Sequence, residues 1–252
     1  KNLTFLENKT EIFLSDVELN KFLKVEDFSK INIKTFLNDI KNNDFIAEKN
    51  NIIKTYGKVF DAQPLLQSLY KKNSKKIFSK DFKSKIKINF DKTLTGIGDD
   101  VSNFAMIADI NKGSFNKLNL KGNFSENEIV ELSIYQINEN KKTFHLISDR
   151  ARPFIKHFNF IKGFEGGKLE YVSIREKAMD TTNLLITNFK VSKVPALAKL
   201  LTLASLQGIA DTLSGEGIRF DSFEMKSNSN KNILNIEEAL ATGPAVSILL
   251  DG

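Results

Sequence analysis

Leu118, Leu120, Gly122 and Phe124 alternate with Lys117, Asn119, Lys121 and Asn123. A period of two sends the first set to one face of a strand and the second to the other, so this segment needs one dry side and one wet side. Runs rich in β-branched and aromatic residues occur at 101–110, 117–124, 128–137, 142–148, 168–175 and 183–191. Between them stand Asn-Lys-Gly, Ser-Glu-Asn, Asn-Glu-Asn-Lys and Gly-Gly turns, the signature of an antiparallel meander. A meander with one apolar face has to hide it by curling, by packing on a second sheet, or by binding something apolar. Periodicity is satisfied equally by a β-sandwich and by an open groove.

Little helix is available to cover that face. Asp61 is placed as the N-cap of a short helix over 61–70 with Leu65, Leu66 and Leu69 inward. A second short helix starts near Pro153, with Phe154, Ile155 and Phe158 on one side. The third, 195–213, opens on Pro195 and stops at Ser214-Gly215, with Gly208 a possible division. At about 1.5 Å per residue it would be roughly 28 Å long, but Lys199, Gln207 and Asp211 fall inside it, so it reads as a plug or lid on a sheet and not as a membrane span. Strands closed by a short helix at Pro64, Pro153 and Pro195 suggest a repeated unit with unequal spacing.

Toward the start, strands are expected at 11–14, 30–34 and 52–60. The lysine-rich segment 71–87 is expected to be a linker running into a strand through Ile86 and Ile88, and 246–250 reads as a closing strand. The expected fold is mainly β: a long, curved antiparallel meander with a few short helices, its apolar face closed as a sandwich or left as an open groove. It forms a single region over 1–252, in which 84–252 is the clearer part and 1–83 the less regular one. The chain opens at Lys1 without a methionine, which suggests a piece of a longer polypeptide.

The chemistry of the chain is sparse. Cysteine is absent, which removes disulfides and thiolate metal sites. Lysine and arginine total 37 against 31 acidic residues, and the only arginines are Arg150, Arg152, Arg175 and Arg219. A lysine-heavy, arginine-poor surface suits diffuse attraction to anionic headgroups better than base readout, so no specific nucleic-acid partner is expected. His145 and His157 read as surface or strand histidines. Gly96-Ile97-Gly98 and Gly215-Glu216-Gly217 lack the strand-to-helix context of a phosphate loop and read as turns. Asp99-Asp100 has no further carboxylates at ligand spacing and reads as a solvated turn. No catalytic group, metal site or cofactor is expected.

The carboxy-terminal half carries a recognisable succession. It runs Asn188-Phe189-Lys190-Val191, then Val194-Pro195-Ala196-Leu197-Ala198-Lys199-Leu200-Leu201, then Leu206-Gln207-Gly208-Ile209. Leu213-Ser214-Gly215-Glu216-Gly217-Ile218-Arg219-Phe220-Asp221 follows, and the return passes through Gly243-Pro244-Ala245 to Asp251. Together with Phe164-Glu165-Gly166-Gly167-Lys168-Leu169, Ile147-Ser148-Asp149 and the segment 57–62, this resembles the carboxy-terminal region of the AsmA-like superfamily of Gram-negative envelope proteins, its YhdP and TamB branch. The resemblance implies that the curved meander forms an elongated, taco-like β-groove that shelters acyl chains, with phospholipid as partner and no catalysis. It also implies a periplasmic site of action, an inner-membrane anchor elsewhere in the chain, and a role in phospholipid transport and outer-membrane biogenesis. On that reading Phe104, Met106, Leu118, Leu120 and Phe220 face acyl chains and the 195–213 helix caps or lines the groove. A structural or assembly module that contacts other envelope proteins, with a closed β-sandwich core, is the alternative; an enzyme acting on lipid or glycan ranks third.

Overall fold

The computed structural model describes residues 1–23, 25–70, 78–96, 98–155, 163–192, 217–230 and 233–252. The protein is mainly β, and its contacts divide it into two compact units, 1–127 and 128–252. The expected helix over 195–213, the Gly215-Glu216 part of the turn after it, His157 and lysines 71, 72, 75 and 76 lie outside the described residues.

In the first unit the strands are β1 Leu3–Glu7, β2 Thr10–Ser15, β3 Glu18–Leu19, β4 Val25–Asp27, β5 Lys30–Leu37, β6 Ile40–Lys49, β7 Ile53–Asp61, β8 Ser84–Leu94, β9 Val101–Asn111 and β10 Ser114–Ser125. They lie side by side in the order β1-β2-β5-β6-β7-β8-β9-β10, an open sheet from which β3 and β4 leave as a separate hairpin. Every neighbouring pair in this sheet is antiparallel except β7 and β8, which are parallel. A parallel step requires a crossover, and helix α1, Gln63–Tyr70, begins it. Asp61 closes β7, and its Oδ1 accepts the Gln63 N–H at 3.1 Å, which is the capping role read from the sequence.

Register lines the inward residues of this unit into rows across the strands. One row runs Ile12, Ile33, Phe45, Gly57, Phe90, Phe104; the next runs Leu14, Ile31, Ala47, Thr55, Ile88, Met106, Leu120. Gly57 is required where it stands. A register shift in the β6–β7 pair brings the strands together so closely that a Cβ there would lie 2.2 Å from the Asp44 carbonyl oxygen and 2.5 Å from the Phe45 Cα. Phe45, Phe60, Phe90 and Phe104 continue over this point as a chain of rings, with centroids 5.7 Å apart between Phe45 and Phe90 and 4.9 Å between Phe60 and Phe90. At the other end of β9, Phe78 stacks on Phe82 and meets Phe115 edge-on, beside the fully buried Ile110. The opposite face carries the exposed Lys85, Lys87 and Asn89 of β8 and Lys117, Asn119 and Lys121 of β10.

The second unit contains β11 Glu128–Asn138, β12 Lys141–Ser148, helix α2 Arg152–Ile155, β13 Phe164–Glu176, β14 Met179–Val191, β15 Ile218–Asn230, β16 Ile233–Thr242 and β17 Ser247–Asp251. Its seven strands follow chain order and are antiparallel throughout, again without closing into a barrel. The α2 end holds the core: Ala151 and Ile155 pack with Leu169, Ile186, Phe189, Val191, Ile218, Phe220 and Ala245. Phe164, Phe189 and Phe220 stack in a column across three strands, at 5.2 Å between successive centroids.

Strict alternation from the rest of each strand would have thrown all three rings of this column to the wet side. Asn188 adopts a φ of 56° and Gly167 one of 82°, and past these points the pattern shifts by one residue. In β14, Thr182, Leu184 and Ile186 therefore give way to Phe189 and Val191 on the same buried face. Asparagine and glycine are the residues that accept the left-handed conformation this shift uses. Gly167 also has Ala151 against it, and its carbonyl accepts the Ala151 N–H at 2.8 Å, which seats α2 on the sheet.

Candidate functional site

The inner face of the second unit changes polarity along its strands. Its first row, Val130, Ser148, Leu169, Ile186, Phe223, Ala241, Ile248, is almost wholly apolar. Leu132, Leu146, Tyr171, Leu184, Met225 and Ala239 form the second. The third mixes Ile134 and Phe144 with Ser173, Thr182 and Ser227, and the fourth is Gln136, Lys142, Arg175, Asp180, Ser229. At about 3.4 Å per residue, the first and fourth rows are roughly 20 Å apart, somewhat more than the hydrocarbon depth of one leaflet, which is half of an approximately 30 Å bilayer core. One surface thus passes from apolar to charged over roughly 20 Å.

A cavity of about 310 Å³ opens at the polar end, lined by Ile134, Lys142, Phe144, Tyr171, Ser173, Arg175 and Asp180. Arg175 grips Asp180 with both arms of its guanidinium, Nε at 2.7 Å and Nη2 at 2.6 Å, and the carboxylate raises the arginine's pKa further. Lys142 is Arg175's direct cross-strand partner. Burial, and then the neighbouring guanidinium, push the Lys142 ammonium below its ordinary value of 10.5. Phe144 meets Tyr171 edge-on at 5.6 Å and forms the apolar wall. Beside it, Thr182 donates to the Ser173 hydroxyl at 3.2 Å, while the buried Ser227 hydroxyl has no partner among the described residues.

Of the five residues expected to face acyl chains, four come together. Phe104, Met106, Leu118 and Leu120 share the inner face of β9 and β10, where Met106 pairs with Leu120 and Leu118 with Ala108. Leu118 is buried at 4% exposure, and the other three are half-buried. Phe220 stands in the second unit, stacked on Phe189 at 5% exposure, inside the core beneath α2. The Lys142–Arg175–Asp180 group was not read from the sequence. Two signals pointed to it: adjacent Lys141 and Lys142 at a strand start, one of which must face inward, and Arg175 and Asp180 set across a hairpin turn.

His145 lies on the outer face of β12, its Nε2 3.0 Å from the Glu170 carboxylate, with Ser133 opposite in register. The ring bonds the carboxylate through the nitrogen that a serine triad would turn toward the nucleophile. Asp100 pairs with Lys92 at 3.1 Å, and the Asp99 carbonyl accepts the Thr95 hydroxyl at 2.7 Å, so that turn is closed by its own side chains. Among the described residues no acidic or histidine cluster could hold a metal, and no helix is long and apolar enough to cross a membrane. Comparison with family models, with curated proteins and with solved structures finds no match to this chain.

Proposed function

We propose that the chain is a non-catalytic lipid-sheltering module that holds acyl chains against the apolar inner faces of its sheets. The role that follows is phospholipid movement between the two membranes of a Gram-negative envelope and the building of the outer membrane, in the periplasm, with anchorage supplied by other parts of the protein. The reading is supported by one observation above the rest. Apolar rows line one face of the long open sheet in each unit's strands, and among the described residues the only other sheet is the short β3–β4 hairpin. In the second unit α2 covers one end of that face, while Phe144, Tyr171, Leu184 and Met225 remain half-buried beyond it. Half-exposed aromatic and thioether groups in continuous rows are the surface that hydrocarbon would complete.

Organic extraction of the purified protein followed by mass spectrometry is expected to recover phospholipid in near-stoichiometric amount. Protein that carries none, and that takes up none from vesicles, would reject the reading. The assembly-module alternative draws on the packed core around Phe189 and Phe220, and it would be favoured by lipid-free protein that retains the full stability of its fold.

A further inference from the structure

The polar end of the second unit's inner face is built like the receptor for a charged headgroup. Lys142 and Arg175 contribute two positive charges and Asp180 one negative, so the lining of the cavity keeps one positive charge in surplus. Lys141 and Glu176 pair with each other at 3.6 Å on the opposite face and take no part. A phosphodiester carries one negative charge and would neutralise that surplus, whereas a phosphomonoester would overfill it.

The apolar side of the same cavity points the same way. Ile134, Phe144 and Tyr171 line it and lead into the Leu132, Leu146, Leu184 row, so a ligand with its charge at Lys142 has a dry track for its tail. Burial and the neighbouring guanidinium make the half-buried Lys142 ammonium costly to hold, whereas Asp180 outweighs the effect of burial at Arg175. That cost is recovered when an anion enters between them.

We infer that Lys142 and Arg175 bind the phosphodiester of a phospholipid whose acyl chains lie along the inner face toward α2. This rests on the lipid-sheltering reading above and adds the headgroup class and the orientation of the lipid.

The test uses the whole chain and four probes: short-chain phosphatidylglycerol, the matching diacylglycerol without phosphate, glycerol phosphate, and inorganic phosphate. Phosphatidylglycerol is expected to bind at least tenfold more tightly than diacylglycerol, and K142M and R175Q are each expected to remove about that factor, the scale of one charge-assisted contact. K142R is expected to retain binding. K142M is expected to melt within a few degrees of the lipid-free parent, and a preserved fold separates lost binding from lost folding. Equal binding of phosphatidylglycerol and diacylglycerol, unchanged by K142M, overturns the headgroup site while leaving the lipid reading intact. Tight binding of glycerol phosphate or inorganic phosphate with no gain from acyl chains assigns the site to free phosphate and overturns it. Failure of every lipid to bind overturns both.

Discussion

Met106→Asp is expected to cut bound phospholipid at least tenfold while leaving a folded protein. Met106 sits half-buried in the row Thr55, Ile88, Met106, Leu120, with Phe104 and Ala108 flanking it on the same face of β9. A carboxylate there stays solvated in the lipid-free protein, but a hydrocarbon tail laid over it would have to strip that water, at a cost of several kcal/mol. The control is one residue away. Ile107 points to the opposite face and is 60% exposed, so Ile107→Asp should leave lipid content unchanged and stability within about 0.5 kcal/mol of the parent. Lipid measured by mass spectrometry on the two variants reads the difference directly. Equal lipid in both would show that this face of β9 does not carry the acyl chain.

Phe189→Ala is the substitution with the largest expected effect on stability, roughly 3–5 kcal/mol in urea unfolding. The ring is 8% exposed and lies between Phe164 and Phe220, with stacked centroids 5.2 Å away on both sides. Removal leaves a void that its neighbours cannot close, because Gly167 and α2 hold the backbone above it. A double-mutant cycle with Phe220→Ala should return a coupling of about 0.5–1.5 kcal/mol, the usual scale of an aromatic pair. A cost below about 1 kcal/mol would mean that the column is not core and is free to contact a ligand.

These contrasts show where sequence reasoning succeeded. Alternation from Lys117 to Phe124 placed Leu118 and Leu120 inward and Lys117, Asn119 and Lys121 outward, because one buried face fixes a period of two. β6 was missed, since Asn42-Asn43-Asp44 reads as a turn. Its polar side chains are instead satisfied across strands: Asn42 donates to Asp61 of β7 at 3.1 Å, and Asn43 donates to the Thr35 hydroxyl of β5 at 3.0 Å. Side-chain partners that distant in sequence leave no local trace. The strand running into a helix at Asp61 was legible, but the parallel pairing it produces was not, because register depends on β8, which follows 22 residues further on, over 62–83.

Lys142 shows the same limit in another form. A lysine near a strand end ordinarily marks a solvated edge, and only the pairing with Arg175 reveals that it faces inward. The shift at Asn188 likewise hides Phe189 from a strict alternation count. Lys142 and Phe189 are thus positions at which local pattern and tertiary position part company, whereas Leu118 and Leu120 follow the pattern.

Most neighbouring strands are joined by tight connections, such as the two residues between β9 and β10, but each unit has one junction longer than all its others. β7 meets β8 only after 62–83, and β14 meets β15 only after 192–217. Closing a span of that length carries about 2 kcal/mol more chain entropy than closing a two-residue turn. Each unit thereby has one strand pair whose closure waits on a distant stretch of chain. In the second unit that late pairing is also the one fastened by the Phe189–Phe220 stack and the Ile186–Phe223 pair, so buried aromatic surface offsets the added closure entropy.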